Sequence, residues 1–432
     1  MSALGDLSIE ARLARAGLPR LPRFGWLEVD VEALAGNLAA VRSLAAPGAR
    51  VIAVVKADGY GHGLEVAGRT FDAAGADALA VATLDEGLRL RQIVPDRPIL
   101  VLFDIPPALV PEAAAARLEL TVSEPDWLEA ALAAVGSGGT PSASGRVSRM
   151  DGCPLRLHVE VETGLQRAGL RPEAAAGAAE RIRSAPGAEL VGLWTHLARA
   201  EDPIANAEQR RTFDEALRGL DRAGIPRPAQ HVSATGGLFG PDAAAESIVR
   251  PGLSLYGALP EDLPLSAPGV RAATRLRPAL ALKARLLRLE SVEPGETVGY
   301  GGTWRAQRPS RIATLPIGYG DGWPRVLGWG RSRALVRGRS VPLVGTVAMD
   351  ALAADVTDVE PEVTPDDEFV LLGSQGQARI DVTELAQART TISWEVLVAM
   401  AARLPRVYHA GREPVGLRTL AGEFLTSRGP RG

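Results

Sequence analysis

From about residue 32 onward, short apolar runs rich in Val, Ile and Leu alternate with longer alanine-rich stretches whose apolar positions recur at helical spacing. The runs fall near 50–56, 78–83, 98–103, 118–122, 155–161, 189–195, 230–234 and 247–256. Runs of this length and composition read as buried strands. The clearest helical stretch covers 203–223, with Asp202 placed to cap it, Pro203 at its first position and Gly224 at its stop. Phe213, Leu217 and Leu220 fall on one face of it. Eight strands, with helices between and before them, over roughly 230 residues predict an α/β fold, a parallel (β/α)8 barrel of the TIM type. The competing arrangement is an open doubly wound sheet. No GxGxxG fingerprint follows an early strand, which counts against it.

After about residue 270 the pattern changes. Leu280–Leu289 alternates or runs apolar, Glu293-Pro294-Gly295-Glu296 supplies a turn, and strand-like runs recur at 311–317, 334–337, 341–347 and 367–373. Two helices follow, one opened by Asp381 with Glu384, the other capped by Ser393. The expected division is an N-terminal extension over 1–24, the barrel over 25–265, a mostly-β C-terminal domain over 266–420 and a tail over 421–432. Residues 136–152, rich in Gly and Ser, read as a flexible surface insertion. The extension reads as frayed or surface-bound.

Composition adds mostly exclusions. The apolar share is 46% and the charged share 23%, as in globular proteins. A net charge of −3 gives no reason to expect a nucleic acid or an anionic membrane as partner. No apolar run reaches membrane-spanning length, and the first 24 residues lack the apolar core of a secretory signal. The single cysteine, Cys153, cannot form an internal disulfide and suits a reducing compartment. A cytoplasmic protein without a metal is expected.

The chemistry-bearing residues gather where a barrel places its working groups, after the C-terminal ends of the strands. Lys56 ends the first strand and runs into Ala57-Asp58-Gly59-Tyr60-Gly61-His62-Gly63. Burial disfavours the charged ammonium, and a neutral amine can attack an aldehyde and hold it as a Schiff base. Taken alone, the lysine reads as a solvated strand cap; the thirteen-residue run from Val51 to Gly63 reverses that reading. Arg167 follows the fifth strand, His196 ends the sixth, Thr235-Gly236-Gly237 follows the seventh, and Arg250-Pro251-Gly252 lies on or after the eighth. Small residues after strands seven and eight suit a phosphate.

The stretch Lys56–Gly63 resembles the cofactor-lysine signature of alanine racemases. Further blocks resemble the same family in the same order: Glu162-Thr163-Gly164-Leu165-Gln166-Arg167-Ala168-Gly169, Trp194-Thr195-His196, the run 250–257, Tyr300-Gly301-Gly302-Thr303, Pro316 through Gly322, Ala348-Met349-Asp350 and Pro405-Arg406-Val407-Tyr408. The likeness covers about residues 25–410. It implies a barrel that binds pyridoxal 5'-phosphate, and a head-to-tail homodimer in which the second domain of one chain completes the site of the other. The implied reaction interconverts L- and D-alanine with two acid/base groups, one on each side of the α-carbon. By resemblance Lys56 serves the D-face and Tyr300 of the second copy the L-face. A tyrosine with an ordinary pKa of about 10 needs nearby positive charge to act as a base, for which His196 and Arg250 are the candidates. Arg250 is matched to the pyridine nitrogen, where a permanent cation disfavours ring protonation. The phosphate is matched to Tyr60, Thr235, the backbone around Gly252 and Leu253, and Tyr408. Arg167 is matched to the ring hydroxyl or the substrate carboxylate. Tyr319 and Met349 of the second copy are matched to the substrate, with Asp350 positioning that segment or merely serving its turn.

Two positions depart from the family. Where members often carry a carbamylated lysine bracing the arginine, this chain has Glu160, so Glu160 is expected either to supply a built-in anion for Arg167 or to be solvated at the barrel mouth. The family's Asn-Ser after the seventh strand is Ala234-Thr235, which keeps a hydroxyl and loses an amide. Other readings are a racemase of serine or of broader range, a pyridoxal phosphate decarboxylase, and a non-catalytic carrier. Such decarboxylases need a cysteine donated near the substrate, which Cys153 suits poorly; carriers of this fold lack a second domain.

Overall fold

In the computed structural model, residues 7–136, 154–243 and 246–429 are described. Strands β1 (Gly25–Asp30), β2 (Arg50–Val54), β3 (Ala78–Val81), β4 (Ile99–Val101), β5 (Leu118–Val122), β6 (Leu155–Glu160), β7 (Ala188–Trp194), β8 (Ala229–His231) and β9 (Ile248–Val249) come first along the chain. Of these, β2 to β9 form one parallel sheet in the order β8-β7-β6-β5-β4-β3-β2-β9. The two ends of that sheet meet through a single parallel bridge, Ala234 to Arg250, so the barrel closes at a residue expected to work. The eighth run is much shorter than its apolar pattern, because Pro251 has no N–H to continue the ladder and Leu253–Tyr256 turns into a 3-10 helix.

The helix between β7 and β8, Pro203–Arg222, starts where its signals place it: the Asp202 carboxylate accepts from Ile204 N and Ala205 N, both at 3.1 Å. Phe213, Leu217 and Leu220 are buried. Gly224 takes a φ of 68°, the left-handed stop that a glycine allows.

A second sheet of 12 strands, mostly antiparallel, follows. Strand β1 belongs to it and not to the barrel, which corrects the expected boundary at residue 25: it runs antiparallel to Leu280–Arg285 and parallel to Arg406–Ala410. The chain thus begins in the second sheet, builds the barrel, and returns. The N-terminal extension is also docked over its described part. Helix Ile9–Arg15 is capped by Ser8, and Ile9 and Leu13, one turn apart, are buried against Trp26, Val407 and Leu417. At the other end Gly422–Leu425, expected in the tail, pairs with Glu413–Thr419. The Gly/Ser-rich insertion from residue 137 and Cys153 lie outside the described residues. Among the described residues no helix is long and apolar enough to cross a membrane.

Candidate active site

A cavity of about 450 Å³ opens at the C-terminal ends of the barrel strands. Lys56, Tyr60, Arg167, His196, Thr235, Arg250, Gly252 and Leu253 all line it. Lys56 comes two residues after the end of β2. Burial, reinforced by the positive charge of Arg167 and Arg250, lowers its amine below the ordinary lysine value. The chain then passes through five consecutive residues with positive φ: Ala57 at 54°, Asp58 at 56°, Gly59 at 60°, Tyr60 at 51° and Gly61 at 80°. Each of the three that carry a side chain gives up roughly 1–2 kcal/mol in this region. Glu86 holds the entry to the turn, accepting from Ala57 N at 2.6 Å and Ala82 N at 2.9 Å.

Arg250 is anchored by a polar chain through the barrel interior. It donates to His231 Nδ1 at 2.8 Å, His231 O at 2.7 Å and Thr195 O at 2.7 Å, and its guanidinium covers the Trp194 ring. A guanidinium can only donate. His231 Nδ1 therefore accepts, and its Nε2–H donates to His158 Nδ1 at 3.1 Å. His158 Nε2–H in turn donates to Glu119 Oε2 at 2.9 Å. Burial would raise the Glu119 carboxyl, but the His158 hydrogen bond and the charge of Arg156 hold it below its usual value. A Cβ at position 192 would stand 2.4 Å from His158 Nδ1 and 2.9 Å from His231 Nε2, so Gly192 makes room for the pair. Arg250 stays a cation, although burial lowers it to about 10. His196, 3.5 Å from Arg250, is driven to about 3 by burial and by Arg250, Arg167 and Lys56. It is neutral near neutral pH, and the positive charge expected of it falls to Arg250 and Arg167.

At the other end of the cavity the Thr235 hydroxyl accepts from Gly252 N at 3.2 Å and Ser254 N at 3.3 Å. Tyr60 packs face to face with Tyr256 at 4.7 Å. A Cβ on Gly252 would come within 2.4 Å of the Tyr60 hydroxyl, so the glycine leaves a cradle open between them. Hydroxyls, a bare backbone and a nearby cation fit a phosphorylated, carbonyl-bearing ring.

Glu160 ends β6 almost fully buried, which answers the solvated alternative. Its Oε1 faces Arg167 Nη2 at 3.6 Å and its Oε2 has no hydrogen-bond partner among the described residues. Burial raises its carboxyl to about 7, against the pull of Arg167 and Arg250. Glu162 accepts from Gln166 N at 2.7 Å and also from Gly164 N, which shapes the loop carrying Arg167. Phe103 lies under the Arg167 guanidinium at 5.1 Å.

Four of the expected residues are elsewhere in the chain. Tyr300, Tyr319 and Met349 are 74%, 43% and 52% exposed on the second domain. Backbone bonds gather Tyr319 with the 348–349 segment: Tyr319 N donates to Ala348 O at 3.1 Å, and Gly320 N to Met349 O at 2.9 Å. Asp350 pairs with Arg403 at 2.7 Å, and Arg403 with Asp321 at 2.8 Å, so Asp350 is tied down beyond its turn. None of the four lines the Lys56 cavity.

Tyr408 does not line it either, which corrects its assignment to the phosphate. Strand pairing on both sides turns its ring into the core, where it is fully buried with its hydroxyl beside Gly63. The second-domain side chains that do reach the cavity are Trp394 and Val398. They stand on helix Ser393–Val398, whose N-cap is Ile392; the expected cap, Ser393, instead bonds Glu261 through its N–H at 2.9 Å. A further cavity of about 340 Å³, beside β1 and His409, holds none of the expected residues.

Fold and site together are those of a barrel enzyme built around a half-buried lysine of lowered pKa. The chain belongs to the alanine racemase family: residues 29–260 match the model of the alanine racemase N-terminal domain, and 279–408 that of the C-terminal domain. It is 34% identical over 392 residues to the alanine racemase of Halothermothrix orenii, covering 90% of this chain and 98% of that one. It is 37% identical over 386 residues to that of Symbiobacterium thermophilum, covering 89% and 96%. Among solved structures, the alanine racemase of Bacillus anthracis with bound L-Ala-P superposes with a TM-score of 0.81 at 29% identity, over 93% of this chain and 99% of that one. The biosynthetic alanine racemase of Pseudomonas aeruginosa gives 0.75 at 32% identity, over 90% and 99%.

Proposed function

We propose that this chain is an alanine racemase that holds pyridoxal phosphate on Lys56 and works as a dimer with shared sites. The observation that carries it is the pairing of a half-buried amine of lowered pKa with a cationic Arg250 in one cavity, while Tyr300, Tyr319 and Met349 stay exposed outside it. When bound, the cofactor supplies an aldehyde for an amine and an electron sink for the α-carbon. Lys56 takes or returns the proton on one face. Tyr300 of a second copy serves the other face, with Arg250 and Arg167 supplying the positive charge that favours its phenolate. Arg250, unable to give up its charge, keeps the ring nitrogen from gaining a proton. Tyr60, Thr235 and the backbone at Gly252 and Leu253 hold the phosphate. Arg167 orients the substrate, braced by Glu160 and Phe103, while Tyr319, Met349 and Asp350 of the second copy close the substrate side.

The test is exchange of the α-proton in deuterated water across a panel of L-amino acids, followed by NMR and optical rotation. Alanine is expected to exchange and lose its rotation. Loss of neither, for any amino acid, would end the racemase reading.

The bracing role of Glu160 has its own pH signature. Above about pH 7 the carboxylate is charged and Arg167 gains a partner; below it the acid is neutral. KM for alanine is expected to fall several-fold as pH rises through that value. Glu160→Gln flattens this step. The stability term runs the other way. A carboxyl raised from 4.5 to about 7 favours the fold most below 4.5 and loses that contribution as pH climbs to about 7. Melting curves of the wild type and Glu160→Gln across this window check the sign; identical pH profiles in both measurements would remove the brace.

A further inference from the structure

The left-handed turn after Lys56 is not held by the barrel alone. Asp58, inside it, accepts from Leu64 N at 2.9 Å and receives a two-pronged bond from Arg418, Nη1 to Oδ1 at 2.7 Å and Nη2 to Oδ2 at 2.5 Å. Arg418 stands on Glu413–Thr419, a strand of the second domain, and does not line the cavity. A second arginine of that domain, the fully buried Arg406, donates Nε to Gly61 O at 2.9 Å. Arg406 also binds Met400 O and Leu404 O, each at 3.0 Å, just past the helix that carries Trp394 and Val398. That helix presses on the turn itself: a Cβ on Gly61 would lie 2.2 Å from Leu397 O.

Three residues with side chains held at positive φ would relax toward ordinary backbone if released, and the bond of Asp58 to Leu64 is local to the turn. The strongest outside hold is the bidentate carboxylate–guanidinium pair, the geometry in which arginine fixes a partner in position as well as in charge. Burial pushes the Asp58 carboxyl up, yet Arg418 keeps it below its usual value, so the pair stays charged.

We propose that Arg418 is a positioning residue for Lys56: a cross-domain clamp on Asp58 that keeps the amine aimed into its buried, cationic surroundings. The inference rests on Lys56 as the working amine, but its first test needs neither cofactor nor substrate. In the cofactor-free full-length chain, Lys56 is labelled with pyridoxal and borohydride as a function of pH and read by peptide mass spectrometry. The wild type is expected to label at Lys56 well below the pH of ordinary surface lysines. In Arg418→Met the amine drifts toward water, its labelling midpoint rises toward theirs, and labelling at neutral pH drops about tenfold per pH unit of that rise. In the loaded enzyme the same variant is expected to lose kcat by one to two orders of magnitude with KM for alanine little changed, and Arg418→Lys recovers part of it, because a point charge lacks the fork. A variant that melts earlier but keeps the wild-type midpoint and kcat per folded molecule overturns the clamp and leaves only a structural ion pair. Should Arg418→Met fail to fold, Asp58→Asn, which retains the acceptor for Leu64 and drops the charge, must give the same rise; a wild-type midpoint there overturns it equally. A wild type that binds no cofactor would sink the proposed function while leaving this comparison readable.

Discussion

Lys56→Ala is expected to lower alanine turnover roughly 10⁴-fold or more, because one substitution removes both the nucleophile for the cofactor and the base on one face. The loss should not come with a loss of folding. The amine sits in surroundings that disfavour its charge, through burial and through Arg167 and Arg250. A lysine whose pKa is lowered in the fold weakens the folded state at every pH where the unfolded chain still carries the proton, up to the ordinary lysine value of 10.5. Removing it relieves repulsion near neutral pH. The cofactor-free variant is therefore expected to melt no earlier than the cofactor-free wild type, while the NMR exchange signal of alanine disappears. A variant that melts much earlier would mean that Lys56 is structural; one that keeps exchanging would mean that the proton is moved by another group.

The barrel was legible because its signals are local. Buried parallel strands are continuous apolar runs, and the helix at 203–222 carries its own cap, proline and stop. The placement of Lys56, Arg167, His196, Thr235 and Arg250 in one cavity follows once those strand ends are known. The rest is decided by contacts between residues far apart in the chain. Nothing in Gly25–Asp30 says which sheet it joins, since its partners lie at 280–284 and 406–409. Helix Ile9–Arg15 looks too short to persist alone and does so by burying Ile9 and Leu13 on the second sheet. Tyr408 follows a Pro-Arg-Val run that fits the family, yet strand alternation turns it into the core. Trp394, which does reach the cavity, had only an unremarkable helix around it, and its role depends on how that helix meets the turn after Lys56. The glycines in that turn signalled tight backbone; that Ala57, Asp58 and Tyr60 would share the left-handed region with Gly59 had no sequence signal, because a clamp from another domain sustains it. Glu119, a carboxylate at the second position of β5, and Gly192 on β7 did carry a signal for the buried His158–His231 chain: a charge and a missing side chain at positions where a barrel strand otherwise packs apolar residues.

Tyr300→Phe is expected to cost 10²- to 10⁴-fold in racemisation, the range for losing one acid/base group, and to do so unevenly. Lys56 still exchanges the proton on its own face, so D-alanine continues to take up deuterium while L-alanine stops. The decisive measurement combines the two dead proteins. In one chain Tyr300 is 74% exposed and does not line the cavity around Lys56. If the sites are shared across a two-fold dimer, a mixed dimer of Lys56→Ala and Tyr300→Phe has one site lacking both groups and one site with both intact. Random reassortment of equal amounts makes half the dimers mixed, so about one quarter of the wild-type activity returns. If each chain used its own Tyr300, every site in the mixture would lack one group and nothing would return. Recovery near that fraction is the expected result, and its absence after verified subunit exchange would place the second acid/base group within the chain that carries Lys56.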